Sequence, residues 1–248
     1  MKSWPYPLWL AHRGAGSLAP ENTLAAFRLG AGFGYRAFEC DVKLSRDGEA
    51  FLLHDDTLDR TTSGRGSPAE QDWDTLALLD GGSWHSPAFA AEPLPTFAQI
   101  AQFCLANGCA LNVEIKPSPG TERLTGATVA REAARLWAGA DVPPLLSSFK
   151  PEALDAARES EPGLPRGLLL DELWDGWATT AESLGVVAVI TNWRLMDGPL
   201  IQELHRRGWR ALVYTVNDAG VAQRLIAAGI DGIITDRVDI LGPATEGR

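Results

Sequence analysis

Short apolar runs alternate along the chain with longer segments whose apolar residues recur at every third or fourth position. Runs bounded by turn residues are typical of buried strands, and the longer spacing predicts amphipathic helices. The predicted strands cover residues 8–11, 37–44, 50–54, 110–116, 145–149, 167–170, 186–191, 210–216 and 232–235. The predicted helices cover residues 20–33, 96–107, 126–138, 151–161, 175–184, 197–207 and 218–228.

Strands that alternate with helices predict a parallel sheet with right-handed crossovers. Eight β units result if residues 37–44 and 50–54 form one barrel strand and its extension, joined by a turn at residues 46–48. The pattern therefore predicts an α/β protein with a (β/α)8 barrel. The alternative is a doubly wound open sheet, which usually has a Gly-rich turn after its first strand. Here the first strand ends instead in His12-Arg13-Gly14.

The segment from about residue 55 to 95 interrupts the alternation of strands and helices. It is rich in Gly, Ser, Pro, Asp and Trp and has weak periodicity. We expect one barrel domain over residues 1–248 with a small inserted subdomain after the second strand. The insertion carries Trp73, Trp84 and Phe89, which either cover the cavity or pack the subdomain onto the barrel.

Carboxylates are the first candidates for catalytic or metal-binding residues. Glu39 and Asp41 are two residues apart on one strand, so both face the same side, and Glu114 and Lys116 repeat this spacing on another strand. Three carboxylates that converge at the active-site end of a barrel repel one another unless a cation lies among them. Oxygen ligands favour Mg²⁺, Ca²⁺ or Mn²⁺ over zinc. The alternative is a buried ion network with Arg13, Lys43 and Lys116.

Histidines and one arginine lie near the same predicted edge. His12 ends the first strand and His54 ends the 50–54 run, so the two can divide the roles of general acid and general base. His85 and His205 are expected to be structural and surface residues. Arg13 can hold a phosphate through its planar guanidinium group, and Gly14 and Gly16 would let backbone amides approach an anion.

Composition limits the partners. The 248 residues carry a net charge of −10, which argues against nucleic acid and anionic membranes, because both need clustered Lys and Arg. The three cysteines, Cys40, Cys104 and Cys109, form no C-x-x-C pair and are expected to be reduced, buried thiols. With no apolar stretch typical of a signal peptide or membrane span, we expect a cytoplasmic protein with a small-molecule substrate.

Five separated blocks carry a resemblance to a known family. They are His12-Arg13-Gly14, Pro20-Glu21-Asn22-Thr23, Glu39-Cys40-Asp41-Val42, His54-Asp55 with Arg60-Thr61-Thr62, and Glu114-Ile115-Lys116. In this order they resemble the glycerophosphodiester phosphodiesterase family. Later segments, including Thr235-Asp236 near the end, resemble its cytoplasmic bacterial branch, so the likeness covers nearly the whole chain.

The resemblance implies a (β/α)8 barrel that hydrolyses glycerophosphodiesters to sn-glycerol 3-phosphate and an alcohol. It implies one divalent cation, Mg²⁺ or Ca²⁺ with Mn²⁺ as a further candidate. The positions that match the family motifs are Glu39, Asp41 and Glu114 for the metal, His12 and His54 for acid/base catalysis, Arg13 and Lys116 for the phosphate, and Asn22 beside the metal site.

Three other functions remain alternatives. A barrel phosphodiesterase of the phospholipase D kind would cleave intact phospholipids. A non-catalytic barrel would only bind a phosphorylated ligand and would tolerate loss of the histidines. A metal-dependent sugar-phosphate isomerase would use the metal and Lys116 but would leave two histidines and Arg13 without a common purpose.

Overall fold

The computed structural model describes residues 4–243. The strands are β1 (Trp9–Ala11), β2 (Ala37–Leu44), β3 (Ala50–Leu52), β4 (Ala110–Ile115), β5 (Leu145–Ser148), β6 (Arg166–Leu170), β7 (Ala188–Asn192), β8 (Arg210–Tyr214) and β9 (Gly232–Thr235). The α-helices are α1 (Leu24–Gly32), α2 (Trp73–Leu76), α3 (Phe97–Ala106), α4 (Glu122–Leu136), α5 (Pro151–Ser160), α6 (Trp177–Leu184), α7 (Gly198–Arg206) and α8 (Ala219–Ala228). Short 3₁₀ helices lie at Gly16–Leu18, Pro68–Glu70 and Pro87–Phe89.

Eight parallel strands close into a barrel. β1 pairs with both β9 and β2, which joins the two ends of the sheet. β3 lies outside this ring and pairs antiparallel with β2. The predicted (β/α)8 barrel is confirmed, including the assignment of residues 50–54 as an extension, and the doubly wound alternative is wrong. β9 is not followed by an α-helix among the residues described up to 243.

Helix ends follow local capping chemistry. α1 begins at Leu24, later than predicted, because the Thr23 side chain accepts a hydrogen bond from the Ala26 backbone amide at 3.2 Å and so caps the helix. α4 begins at Glu122, four residues before the predicted start at Gly126. The first turn of α4 is mostly polar, so it carries no apolar periodicity that the sequence pattern could reveal.

The apolar core has two layers. Outward-facing strand residues such as Phe38, Cys40 and Val42 pack against the helices. The barrel interior is filled by a smaller cluster: Leu10, Ala37, Leu145, Leu169, Ala188, Ile190, Leu212 and Ile234. Because side chains alternate along a strand, the next inward-facing positions after Leu10 and Ala37 are His12 and Glu39. The apolar filling therefore supports a polar layer at the carboxyl-terminal end.

The segment between β3 and α3 has an apolar cluster of its own. Its members are Phe51, Leu53, Leu58, Leu76 and Leu94, packed with Trp73 and Leu79. The description of this segment as an inserted subdomain remains a prediction.

In the part of the chain that the structure describes, no helix is both long enough and apolar enough to cross a membrane. The three cysteines are buried free thiols.

Candidate active site

The polar side chains of the first strands surround a cavity at the carboxyl-terminal end of the barrel. The cavity has a volume of about 240 Å³. His12, Arg13 and Glu39 contribute to its lining, together with His54, Asn112, Glu114 and Lys116. The remaining wall consists of Phe149, Leu169, Tyr214, Thr215 and Ile234. Residues far apart in sequence meet here because the ends of all barrel strands lie on one face.

Three buried carboxylates form a compact acidic trio: Glu39, Asp41 and Glu114. One oxygen atom from each lies within 4.8 Å of the others. Their approach follows from strand register, since Asp41 and Glu114 are paired residues on β2 and β4. Burial, followed by the charges of Asp41 and Glu114, raises the pKa of Glu39 well above its usual range. Burial and the charge of Asp41 also raise the pKa of Glu114, to about 7.

Two basic side chains contact the acidic trio. Lys116 Nζ lies 3.0 Å from Glu114 Oε1 and 3.7 Å from Asp41 Oδ1. Arg13 Nε lies 3.3 Å from Asp41 Oδ2, without the alignment of a hydrogen bond. Burial works to raise the pKa of Asp41, but the charges of Arg13 and Lys116 outweigh it and hold this pKa at about 2. Lys43 pairs instead with Asp56 at 3.0 Å, outside the trio.

The charge balance of the acidic trio fits a divalent cation. Two cationic side chains do not neutralise three buried carboxylates, so the pKa values of Glu39 and Glu114 rise as if the site lacked positive charge. The donors are all oxygen atoms, which suit Mg²⁺, Ca²⁺ or Mn²⁺. Arg13 and Lys116 do form ion pairs with the trio, as in the alternative without a metal, but these ion pairs leave a deficit of positive charge.

Each cavity histidine is held by a carboxylate. His12 Nδ1 lies 2.6 Å from Asp236 Oδ1, and His54 Nδ1 lies 2.7 Å from Asp55 Oδ1. Since Nδ1 is engaged in both rings, Nε2 is the nitrogen left for a ligand in the cavity. His12 Nε2 lies 3.8 Å from Glu39 Oε2, at the edge of the trio. Burial, together with the charges of Arg13 and Lys116, lowers the pKa of His54.

Asn22 and Arg13 hold the β1–α1 loop against the trio. Asn22 Nδ2 donates to Asp41 Oδ2 at 2.8 Å, and Asn22 Oδ1 accepts from the Asp41 amide at 3.2 Å. The Arg13 amide donates to Glu39 Oε2 at 3.1 Å. Both Arg13 and Asn22 have positive φ, at 50° and 60°, an uncommon conformation for residues other than glycine. Such strain concentrates at functional sites.

The glycines of this loop serve close packing. A Cβ atom at Gly14 would lie 2.8 Å from the Cβ atom of Ala26 on α1. A Cβ atom at Gly16 would lie 2.2 Å from the backbone of Asp236. Gly16 thus lets the loop approach the residue that holds His12.

Four polar residues that support the histidines received no role from the sequence. Asp55 and Asp236 hold the histidines, and Asn217 Nδ2 in turn donates to Asp236 Oδ2 at 2.9 Å. Arg60 donates to Asp55 at 2.6 Å and to Glu21 at 2.8 Å. The available signals were the adjacency of His54 and Asp55 and the polar residue that follows the last barrel strand.

The aromatic residues of the 55–95 segment lie elsewhere. Trp73 packs on Phe51 with ring centroids 5.6 Å apart. His85 lies between Trp84 and Phe89, at centroid distances of 5.6 and 5.4 Å. Trp73, Trp84 and Phe89 are not part of the cavity lining among the described residues. The structure therefore favours packing of the segment onto the barrel as their role, rather than covering of the cavity.

A larger groove lies at the opposite end of the barrel. It has a volume of about 500 Å³, and its walls include Trp4, Arg166 and Arg210. The Arg166 guanidinium donates to backbone carbonyls, among them that of Leu164 at 2.6 Å. Arg210 pairs with Asp231, which also holds His205 at 2.7 Å. These groups have protein partners, and we assign no chemistry to the groove.

Comparison with known proteins agrees with the fold. A model of the glycerophosphoryl diester phosphodiesterase family matches residues 12–240. A glycerophosphodiester phosphodiesterase of Caldanaerobacter subterraneus is 30% identical over 242 residues, covering 94% of this chain and 96% of that protein.

Two solved structures share the architecture. A phosphodiesterase of Oleispira antarctica, in complex with the product sn-glycerol-3-phosphate, superposes with a TM-score of 0.87 at 32% identity, covering 93% of each chain. A glycerophosphodiester phosphodiesterase of Agrobacterium tumefaciens superposes with a TM-score of 0.78 at 26% identity, covering 94% of this chain and 97% of the other. The match over most of the chain shows that this protein belongs to the glycerophosphoryl diester phosphodiesterase family.

Proposed function

We propose that this enzyme hydrolyses glycerophosphodiesters to sn-glycerol 3-phosphate and an alcohol, with one divalent cation and two histidines. The observation that carries the proposal is the acidic trio flanked by His12 and His54, each with Nδ1 held by a carboxylate. Family membership supports the substrate class. The substrate is a small molecule, and the net charge of −10 supports neither nucleic acid nor an anionic membrane as partner.

Glu39, Asp41 and Glu114 would hold the cation. When bound, a divalent ion of the Mg²⁺ or Ca²⁺ class supplies positive charge that stabilises the phosphate as the P–O bond breaks. Asn22 fixes the orientation of Asp41 through two hydrogen bonds. It is thus a positioning residue beside the metal site.

Arg13 and Lys116 would bind phosphate oxygens. Both line the cavity, and both carry positive charge beside the trio. Burial works to lower the pKa of Lys116, but the charges of Glu114 and Asp41 raise it, so the ammonium group stays charged at neutral pH. Glu21 holds Arg13 Nη1 at 2.7 Å, which limits the orientations of the guanidinium group.

The two imidazoles would divide the proton transfers. One ring takes a proton at Nε2 from the nucleophile, which is either water or the 2-hydroxyl of the substrate's glycerol. Attack by the 2-hydroxyl gives a cyclic phosphate, which water then opens to glycerol 3-phosphate. The other ring gives a proton from Nε2 to the oxygen of the leaving alcohol. Asp236 and Asp55 stabilise the protonated rings and fix their orientation, as a carboxylate does for a catalytic histidine.

Release of glycerol 3-phosphate from glycerophosphocholine tests the proposal. His12→Ala and His54→Ala should each lose roughly 10²–10⁴-fold in kcat, because each removes one acid/base group. His205→Ala is the matched control, since His205 has the same kind of carboxylate partner at the other end of the barrel and should retain activity. Activity of either cavity variant near that of the wild type would contradict the assignment.

The same assay tests the metal and the alternatives. Chelation by EDTA should abolish turnover, and Mg²⁺, Ca²⁺ or Mn²⁺ should restore it. Full activity in chelator would remove the cation from the mechanism. Equal or faster cleavage of intact phosphatidylcholine would favour the phospholipase alternative. A protein that binds glycerophosphocholine without cleaving it in the presence of all three ions would be a binding barrel.

A further inference from the structure

Asn112 lies deep in the cavity, on the inward face of β4. It is two residues before Glu114 and is paired in register with Glu39. Its side chain contributes to the lining of the cavity although the residue is only 2% exposed. Nothing in the proposed mechanism uses this residue.

Both polar atoms of the Asn112 amide lack a hydrogen-bond partner among residues 4–243. A buried amide almost always has partners, because stranding its donor and acceptor away from water is unfavourable. Below it, Leu10, Leu145 and Leu212 line a space of about 10 Å³. That side is mainly apolar, so the catalytic cavity is the main source of a polar partner.

We propose that the Asn112 amide binds the terminal hydroxyl of the substrate's glycerol group and selects for it. This inference rests on the proposed function. An alcohol both donates and accepts a hydrogen bond, which matches the donor and acceptor of an amide. A phosphate would be drawn instead to the charged groups of Arg13 and Lys116.

The depth of Asn112 fits the far end of a three-carbon chain. A strand rises about 3.3 Å per residue, so Asn112 lies about 6.6 Å deeper along β4 than Glu114. With the phosphate beside Glu114 and Lys116, at the outer end of β4, the terminal hydroxyl is the part of glycerol that reaches this depth. Leu169 and Ile234 supply apolar wall for the carbon atoms between.

The test compares two substrates that differ by one hydroxyl. They are glycerophosphocholine and the phosphocholine diester of propane-1,2-diol, which keeps the secondary hydroxyl and lacks the terminal one. The metal-loaded wild type should prefer glycerophosphocholine by at least about 10-fold in kcat/KM, because a site built to bind a hydroxyl rejects a ligand without it. Asn112→Ala and Asn112→Leu should bring this ratio close to one.

Ser147→Ala is the matched control. Ser147 is also buried, and its hydroxyl has no hydrogen-bond partner among the residues that the structure describes. It is paired in register with Glu114 but is not part of the cavity lining. Its ratio should equal that of the wild type. Asn112→Ser keeps a hydrogen-bonding group and should give an intermediate ratio, which also supplies a test if the apolar variants fail to fold.

Two results would overturn the inference. One is a wild type that does not distinguish the two diesters. The other is an equal loss on both substrates in every folded Asn112 variant, as expected if the amide is satisfied by a buried water and only supports the structure. A wild type that cleaves neither diester would instead refute the proposed function itself.

Discussion

At the residue scale, the pairing of each cavity histidine with a carboxylate determines what the rings can do. His12 and Asp236 are 224 positions apart in sequence, whereas His54 and Asp55 are adjacent. In both pairs the contact engages Nδ1 and leaves Nε2 for proton transfer. Burial works to raise the pKa of Asp236, but the hydrogen bond from His12 outweighs it and lowers the pKa. This carboxylate is therefore ionised at neutral pH.

We predict that Asp236→Asn reduces kcat by roughly 10²–10⁴-fold, with a smaller effect on KM. The amide can no longer stabilise a protonated His12 ring or enforce its tautomer. Steady-state kinetics across pH would measure both effects. Asp231→Asn is the control, because Asp231 also holds a histidine, His205, through its Nε2 atom and far from the cavity. A kcat close to that of the wild type would show that Asp236 does not orient His12.

At the element scale, the segment between β3 and α3 stabilises the site through hydrogen bonds of Arg60, which is not part of the cavity lining. Arg60 donates to both oxygens of Asp55, at 2.6 and 2.9 Å, and to both oxygens of Glu21, at 2.8 Å each. Asp55 holds His54, and Glu21 holds Arg13. One guanidinium group thus connects a histidine and a phosphate-binding candidate. Residues 55–95 are not part of the cavity lining among the described residues, but through Arg60 they can act on the chemistry.

We predict that Arg60→Ala lowers kcat/KM by about 10-fold. The effect is modest because the Arg60 side chain is 45% exposed and solvent weakens its ion pairs. Arg60→Lys should recover only part of the activity, since an ammonium group cannot donate two parallel hydrogen bonds to a carboxylate as a planar guanidinium group does. Arg65→Ala is the control, because Arg65 is an exposed arginine of the same segment whose ion pair is with Asp59, at 3.7 Å, and not with a residue of the site. Equal activity of the Arg60 and Arg65 variants would contradict the positioning role.

Close packing of α4 on α5 gives a second prediction at this scale. A Cβ atom at Gly126 would lie 2.1 Å from the Ala153 carbonyl oxygen, so Gly126→Ala must push the helices apart. We expect a loss of about 1–3 kcal/mol in the free energy of unfolding. Gly32→Ala, at a helical glycine with open space around it, should be neutral or stabilise by up to about 1 kcal/mol. Denaturant titration measures both, and equal stability of the two variants would contradict the packing argument.

At the scale of the whole molecule, closure of the barrel concentrates negative charge at one end. β2 and β4 lie side by side, so the inward carboxylates of Glu39, Asp41 and Glu114 are neighbours, and the pairing of β1 with β2 brings His12 beside them. The apolar interior below excludes water from the base of the site. Folding therefore brings carboxylates together, and their mutual repulsion is absent in the unfolded chain.

We predict that the metal-free protein loses stability as pH rises through about 7. The pKa of Glu114 is raised from its usual 4.5 to about 7 in the folded state, so between these values folding takes up a proton. This contribution is full below pH 4.5 and is lost as pH rises through the folded pKa. Glu39 acts in the same direction. The lowered pKa of His54 acts in the opposite direction over part of this range. Two carboxylates outweigh one imidazole, so the melting temperature in EDTA should fall between about pH 5 and pH 8.

Added Mg²⁺ or Ca²⁺ should raise the melting temperature more at pH 8 than at pH 5, because the cation competes with protons for the same oxygens. Glu114→Gln is the control, and its melting temperature in EDTA should vary less with pH. A metal-free melting temperature that stays level or rises over this range would contradict the electrostatic account of the trio.

Local patterns determined much of this protein. The alternation of apolar runs with helical spacing predicted the barrel, and the two-residue spacings of Glu39 with Asp41 and Glu114 with Lys116 placed these side chains on the inward face. Such information is local, because the side-chain direction on a strand and the apolar stripe of a helix depend on residues a few positions apart. The predicted start of α4 at Gly126 was wrong, because the first turn of the helix lacks that pattern.

Only the tertiary structure decided which groups contact one another. The pairing of Asp41 with Glu114 depends on strand register, the contact of Asp236 with His12 depends on closure of β9 on β1, and the four hydrogen bonds of Arg60 depend on how a loop folds back. The unpartnered amide of Asn112 became visible only when its surroundings were known. Distances, burial and pKa shifts depend on contacts between distant segments, and chain closure creates those contacts.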